Sequence, residues 1–398
     1  MDLVIKSQDA LLLIIIPLML VTARQVKENW KSLWDYNLTA KDRRIMLQAS
    51  LFLLEPIVVL FHELGHAAAI KLFGGGIAEF HYAVLSGYVI PTGEFTQQQI
   101  LIIYLAGNLV QILIGYLCFA IAFKTRSPAV VATLVYLGMW SIASSAILYA
   151  LMSIIGLYGD WIAIYTSPVH DLVAAIGICH SIVIASVVYM LKGKAPRLWF
   201  AERTRPVWAI QYEETKKIVD EHPTHANLLR LAWLYYEASL EDLAREALEQ
   251  CRKMDPEDLE PLMLYGWLEH DKQDLDKAES YFMEIAKSDK ASPLLKARAY
   301  MAIADCQLSR ASRNASNRVD PQIAKGEALE ALLAAQRADP SLADPYFQRA
   351  VLLNDLKRYP EAIHELQSLV GLNWLDQSQM KRVPEQMQLA LNQQIAAQ

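Results

Sequence analysis

The sequence predicts an all-α protein in two parts: a polytopic transmembrane helix bundle with a small hairpin, followed by a solenoid of paired helices. Nearly all the long apolar runs lie between residues 10 and 191, whereas residues 192–398 are charged and rich in Ala, Leu, Glu and Lys. Long apolar runs are typical of membrane spans, and the second composition is typical of soluble helices. The chain therefore divides into a membrane half and a helical half outside the bilayer.

The composition also excludes several classes of protein. The 37 basic and 43 acidic side chains give a net charge of -6, so the basic footprint of a nucleic-acid-binding protein is missing. Four cysteines occur without any CxxC pair, which argues against a disulfide framework and against a cysteine zinc site. A metal ion in this protein would have to be held by histidine and carboxylate.

Five apolar runs approach the length of about 20 residues that a spanning helix needs. They cover roughly 10–23, 46–73, 100–123, 128–156 and 168–191. The first run is short, and Lys6 before it and the small residues at 21–23 also fit a signal peptide. We favour a retained helix. The predicted domains are an N-terminal membrane helix with a basic amphipathic linker at 1–45, a transmembrane core at 46–195, a linker at 196–206 and a repeat domain at 207–398.

The loops between the apolar runs differ strongly in charge. Segments 24–45, 124–127 and 192–205 contain Lys and Arg, whereas 74–99 and 157–167 contain neither. The positive-inside rule places the basic segments, and with them the repeat domain, in the cytoplasm. We expect an integral protein of a bacterial inner membrane or an equivalent bilayer.

Segment 74–99 does not have a helical pattern. Three glycines at 74–76 end the second apolar run, alternating apolar residues follow on both sides of Ser86-Gly87, and Pro91-Thr92-Gly93 closes the segment. Non-helical backbone near a membrane is tolerated where protein or water covers it. We therefore expect a β-hairpin that lies over a functional site.

The strongest chemical signal is the sequence His-Glu-Leu-Gly-His at 62–66, which fits the HExxH motif. On a helix, residues i and i+4 share a face, so His62 and His66 can both reach one Zn²⁺ ion. Glu63 lies beside them and can accept a proton from water. Three ionisable groups in an otherwise apolar helix cost about 2.5–3.5 kcal/mol each on insertion scales, which favours a functional role over a polar contact between helices.

A catalytic zinc site needs a third protein ligand from another segment. Asp160 is the strongest candidate, because it follows the fourth run inside the apolar stretch from Trp140 to Tyr165. The alternatives are Asp171, His170 and His180.

Other polar residues in the apolar runs need partners. Asn108 and Gln111 are predicted to bind substrate, although hydrogen bonding between helices is an equal alternative. Glu55 lies seven residues before His62 on the same helical face, where it can orient an imidazole or pair with a neighbour. His81 in the hairpin can contact substrate or lie at the surface.

The second half has a repeat of 34 residues. A small residue, an apolar residue four later and another three later recur, beginning at Ala244, Ala278, Ala328 and Ala362. The anchors are 34, 50 and 34 residues apart, and the polar stretch Ser309 to Asp320 supplies a loop for the 16 extra residues. This pattern resembles a tetratricopeptide-type α-solenoid of about four repeats, with 376–398 as its cap. The resemblance implies a protein or peptide partner on a concave surface.

Residues 46–170 resemble the M50 site-2 protease family. The resemblance rests on HExxH in an apolar helix, the glycine-rich hairpin, the helix containing Gly107-Asn108, and the later Asp160. It implies Zn²⁺ on His62, His66 and Asp160, with Glu63 as the base. The sequence departs from the family in having Gly159-Asp160-Trp161 where Leu-Asp-Gly is usual. The family orientation would also place the repeats outside, which is opposite to the loop charges.

These observations predict an intramembrane zinc metalloprotease that hydrolyses peptide bonds of membrane protein substrates, with repeats that recruit a substrate or a regulator. The partners are then a membrane protein or peptide, a protein on the repeats, and the lipid bilayer. Two alternatives are a non-catalytic membrane scaffold that acts through its repeats and a zinc enzyme that acts on a small molecule or lipid. Glu63 disfavours the scaffold, because a structural metal site needs no base.

Overall fold

The computed structural model describes residues 2–36, 38–154, 159–313 and 320–397. The chain forms two compact units, residues 1–213 and 214–398. The division falls inside one helix, Pro206–Glu221, a few residues after the boundary predicted at 207. The described residues are overwhelmingly helical, and the all-α prediction is confirmed.

The first unit contains ten complete α-helices, the first half of an eleventh and one hairpin among its described residues. The helices are α1 Asp2–Glu28, α2 Trp30–Leu33, α3 Ala40–Ala49, α4 Glu55–Leu72, α5 Gln97–Lys124, α6 Pro128–Ala143, α7 Tyr149–Ile154, α8 Asp160–Tyr165, α9 His170–Lys192, α10 Lys194–Thr204 and α11 Pro206–Glu221. The strands are β1 Gly76–Tyr82 and β2 Gly87–Thr92. The hairpin is the one predicted within 74–99.

Four helical segments in the described part of the chain are long and apolar enough to cross a membrane. They are Ala40–Leu72, Gln97–Lys124, Pro128–Ser153 and His170–Lys192. Four of the five predicted runs therefore correspond to spanning segments, although 155–158 lie outside the described residues. The first predicted run lies within α1, which is not among the four.

Two of these spans contain a π-helical turn. Ser50–Leu54 joins α3 to α4, and Ser144–Leu148 joins α6 to α7. Pro56 has no amide hydrogen, so the helix before it cannot complete its regular hydrogen bonding, which explains the first wide turn. A π-turn leaves carbonyl groups free to accept hydrogen bonds from other donors. Two carbonyl groups of the second turn accept such bonds from side chains.

The helices α4, α5 and α6 are closely packed. Helix α5 contacts both of the other two. A Cβ atom added at Gly115 would lie 3.0 Å from the Gly138 carbonyl oxygen, and one at Gly138 would lie 2.7 Å from that of Gly115. Paired glycines thus allow the α5 and α6 backbones to touch, as is common between membrane helices.

The two strands of the hairpin are antiparallel, with Tyr82 opposite Gly87 and Phe80 opposite Val89. The hairpin packs against α4, where the Tyr82 hydroxyl donates to the Pro56 carbonyl at 2.6 Å. A bulge between Ile77 and Glu79 shifts the register near the open end. The turn of the hairpin is therefore fixed beside the helix that carries the HExxH motif.

The second unit consists of helical hairpins. Its further helices are α12 His225–Glu237, α13 Glu241–Met254, α14 Glu260–Asp271, α15 Leu275–Lys287, α16 Pro293–Arg313, α17 Pro321–Ala338, α18 Asp344–Asp355, α19 Tyr359–Gln367, α20 Gln377–Met380 and α21 Val383–Ala397. Consecutive helices from α12 to α19 pair as four hairpins, and α21 packs on the last pair. The tetratricopeptide-type arrangement and the cap are therefore present.

The predicted 16-residue insertion lies in the third hairpin. Helix α16 has 21 residues and α17 has 18, whereas α14 and α15 have 12 and 13. Part of the insertion thus extends the helices of the third hairpin. The predicted loop from Ser309 to Asp320 begins within α16, and 314–319 lie outside the described residues.

Candidate metal centre

The two histidines of the motif face each other within one turn of α4. Their Nε2 atoms are 3.0 Å apart, and the rings meet edge to face. Both residues are buried, at 6% and 7% exposure. The i, i+4 spacing has therefore produced the arrangement that it predicts for two ligands of one ion.

Asp160 approaches the same point from the start of α8. Its Oδ2 atom is 3.3 Å from His62 Nε2 and 3.2 Å from His66 Nε2. The ligand atoms of the three residues lie within 4.8 Å of one another, and they form the group of potential metal ligands found in the described part of the chain. The structure thus brings together all three residues predicted to bind zinc.

The proton positions of this cluster fit a cation. His66 Nδ1 lies 2.7 Å from the Ile103 carbonyl oxygen, and His62 Nδ1 lies 2.9 Å from Gln111 Oε1. Carbonyl oxygens only accept hydrogen bonds, so each Nδ1 carries the hydrogen and each neutral ring keeps its lone pair on Nε2. Two such lone pairs and a carboxylate oxygen at 3.0–3.3 Å repel one another unless a metal ion or a proton lies among them. Two nitrogens and one oxygen are a donor set that suits Zn²⁺.

Gly107 leaves room for an ion. A Cβ atom at this position would overlap His66 Nε2 and would lie 2.7 Å from His62 Nε2. The backbone of α5 therefore borders the space in front of both imidazoles, and any larger residue would fill it.

Glu63 is buried beside the cluster, with 4% exposure, and interacts electrostatically with His62, His66 and Asp160. The hairpin covers it, because a Cβ atom added at Gly87 would lie 2.6 Å from Glu63 Cγ and 2.7 Å from Cδ. The backbone of β2 thus screens this carboxyl group from bulk water, in the position expected for the predicted hairpin.

Asn108 and Gln111 contact the cluster through their side-chain amides. Asn108 Nδ2 donates to Asp160 Oδ2 at 3.1 Å, and its Oδ1 accepts from the Ser145 hydroxyl at 3.0 Å. Gln111 accepts from His62 as described above. Both amides therefore orient candidate ligands, and their predicted contact with substrate stays a prediction.

Sequence reasoning did not predict the contacts that support Asp160. Trp161 Nε1 donates to the Ser145 carbonyl at 2.8 Å, and His180 Nε2 donates to the Ala146 carbonyl at 2.5 Å. Both carbonyls belong to the second π-turn. The Trp161 and His180 rings stack with centroids 3.9 Å apart, and the Tyr149 hydroxyl accepts from the Asp160 amide at 3.1 Å. The sequence signal was limited to aromatic residues close to Asp160.

The remaining candidates lie elsewhere. His170 and Asp171 are exposed in the first turn of α9, and His180 is occupied by its two hydrogen bonds. His81 stacks on Tyr88 within the hairpin. None of these four belongs to the group of potential ligands in the described residues.

Comparison with known protein families gives one match within this unit. Residues 44–200 match the family described as Peptidase M50B-like. The resemblance to the M50 family inferred from the motif is confirmed. A comparison with curated proteins returned no significant match.

Solved structures with similarity to the chain include helical repeat proteins. A thermophilic TPR protein of Thermus thermophilus has 21% identity and a TM-score of 0.34, covering 44% of this chain and 90% of its own. PilF of Pseudomonas aeruginosa has 15% identity and a TM-score of 0.34, covering 50% and 86%. Yeast Tom70 has 13% identity and a TM-score of 0.38, covering 91% and 76%.

Proposed function

We propose that this protein is a zinc-dependent protease that hydrolyses peptide bonds of membrane proteins within or near the bilayer. The observation that carries the proposal is the convergence of His62, His66 and Asp160 on one space bordered by Gly107, with Glu63 buried beside it. A structural metal site does not need a carboxyl group in that position. The M50B-like family match supports the same reaction class.

In this proposal His62, His66 and Asp160 hold Zn²⁺, which when bound acts as a Lewis acid on a carbonyl group and makes water more acidic. Glu63 acts as the general base: its carboxylate takes a proton from the attacking water and returns it to the leaving amine. The hairpin excludes bulk water from Glu63. Asn108 holds Asp160 in place by donating to Oδ2.

The repeats are proposed to recruit a protein substrate or regulator. Trp233 on α12 and Trp267 on α14 are 34 residues apart, so they occupy equivalent positions in consecutive hairpins, and both are only half-buried. Half-buried tryptophans are frequent anchors at protein interfaces. The side of the membrane on which the repeats lie stays a prediction from the loop charges.

The function is tested with Glu63→Gln in the full-length chain, co-expressed with candidate membrane proteins. We expect cleavage to fall by about 10²–10⁴-fold, the usual contribution of a general base, while zinc content stays near one ion per chain. Glu94→Gln is the matched control, because Glu94 is exposed after the hairpin and should leave both quantities unchanged. Equal cleavage by Glu63→Gln and wild type would refute the mechanism.

A further inference from the structure

Another buried carboxyl group of the membrane unit lies on α4, about two helical turns before His62. Glu55 is 1% exposed and begins α4, directly after the first π-turn. A charged or polar group inside a spanning helix is costly unless other groups hydrogen-bond to it. The hydrogen-bond partners of Glu55 therefore indicate its role.

Three side chains donate to this carboxyl group. The Ser141 hydroxyl donates to Oε2 at 2.5 Å, the Ser144 hydroxyl lies 3.3 Å from Oε1, and Gln111 Nε2 donates to Oε1 at 3.0 Å. Both oxygens of Glu55 thus act as acceptors. Ser141 is itself fully buried, so the cluster is closed to solvent on the side of α6.

Gln111 connects this acceptor to a candidate metal ligand. Its Nε2 faces Glu55, so its Oε1 must face His62 Nδ1, at 2.9 Å. A carbonyl oxygen there requires a hydrogen on Nδ1 and leaves the lone pair on Nε2, which points at Asp160 and His66. Reversing the amide would place its oxygen against the carboxylate and its NH₂ group against Nδ1, which would favour the wrong tautomer.

We propose that Glu55 is a positioning residue that acts through Gln111 to fix the tautomer and orientation of His62. The proposal rests on the proposed zinc site. His66 needs no such device, because its Nδ1 donates to the Ile103 backbone carbonyl, which cannot reverse. His62 depends instead on a side-chain amide, and an amide needs a second group to define its direction.

Replacing Glu55 with glutamine removes the acceptor that sets the direction of the Gln111 amide, while keeping the shape of the side chain at position 55. A glutamine at 55 can donate to Gln111 Oε1 as well as accept from Nε2, so both directions of the Gln111 amide become available. In the reversed direction the His62 hydrogen moves to Nε2 and must be lost when a metal binds. Loss of an outer hydrogen-bond partner of a histidine ligand typically lowers metal affinity about 10–100-fold, and we expect that range.

The test uses the full-length chain in detergent, stripped of metal, with zinc affinity measured by chelator competition. Glu55→Gln and Gln111→Met should each weaken zinc binding, and the double variant should lose little more than either one, because both break the same connection. The visible absorption of the cobalt-loaded protein should change in both variants. Thr204→Val, at another fully buried hydroxyl of this unit, is the control for disturbing a buried polar group and should bind zinc as the wild type does.

The outcomes separate the two proposals. A wild type that binds no zinc would overturn the proposed function together with this inference. Zinc binding by the wild type, with unchanged affinity and cobalt spectrum in both variants at native helix content, would overturn the inference alone. If Glu55→Gln does not fold, Gln111→Met carries the decision, because it leaves the serine contacts of Glu55 in place.

Discussion

Gly107 shows how much a single missing side chain determines at the candidate centre. Its Cα faces the lone pairs of both histidines, so the space for an ion exists because α5 has no Cβ there. Glycine is usually discussed for its backbone freedom, yet Gly107 lies within a regular helix. Here the absence of a side chain at Gly107 matters because it leaves open the space in front of the two imidazoles.

Gly107→Ala is therefore expected to abolish zinc binding, or to weaken it by at least about 100-fold, while the helices remain formed. The added methyl group would overlap His66 Nε2 and displace the two imidazoles from each other. Zinc content and chelator competition measure the effect. Gly177→Ala makes the same change in α9, where the nearest atom is 3.8 Å away, and should bind zinc normally. Full zinc occupancy in Gly107→Ala would show that the ion does not lie in this space.

At the scale of elements, the π-turns decide which groups meet. The turn at Ser144–Leu148 directs the carbonyls of Ser145 and Ala146 towards Trp161 and His180, and so holds α8 against the bundle. The same turn supplies Ser144 to Glu55 and Ser145 to Asn108. One π-turn thus makes hydrogen bonds to residues on both sides of the candidate centre. This agrees with the frequent occurrence of π-bulges at functional sites.

Helix packing in the second unit gives a test of stability. A Cβ atom at Gly266 would overlap the Phe282 ring, which is fully buried between α14 and α15. Gly266→Ala should lower the free energy of unfolding by about 1–3 kcal/mol, the usual cost of overpacking. Gly326→Ala in α17 has no neighbouring atom within 4 Å and should instead stabilise the helix by up to about 1 kcal/mol. Thermal unfolding of the full-length chain measures both, and the same sign for the two variants would contradict this packing argument.

At the scale of the whole molecule, the chain combines an M50B-like region, for which we propose peptide-bond hydrolysis, with helical repeats, for which we propose protein binding. The chain divides into two compact units, so a substitution can be made within one of them at a time. This separation allows recruitment to be distinguished from chemistry.

The double change Trp233→Ala and Trp267→Ala should reduce cleavage of a full-length protein substrate about tenfold or more, because tryptophan anchors each contribute about 1 kcal/mol or more to binding. Cleavage of a short peptide that spans the scissile bond should stay unchanged, because the peptide does not need the repeats. Steady-state kinetics with both substrates make the comparison. Equal losses for both substrates, or none, would argue against recruitment by this surface.

The sequence by itself determined the membrane spans, the hairpin, the 34-residue period and the two histidines with Glu63, because each follows from spacing along one element. It also identified Asp160, but only as one of several acids and histidines. The structure brings Asp160 next to His62 through a contact between residues 98 positions apart in the chain, and its role as a ligand stays a prediction.

Only the tertiary structure decided which groups the remaining polar residues contact. From the sequence, Gln111 fitted a substrate contact and a contact between helices equally well. In the structure its Nε2 donates to Glu55 and its Oε1 accepts from His62. From the sequence, Glu55 fitted equally well a residue that orients an imidazole and a residue that pairs with a neighbour. The direction of a side-chain amide depends on donors and acceptors from several helices, so no periodicity within one helix can predict it.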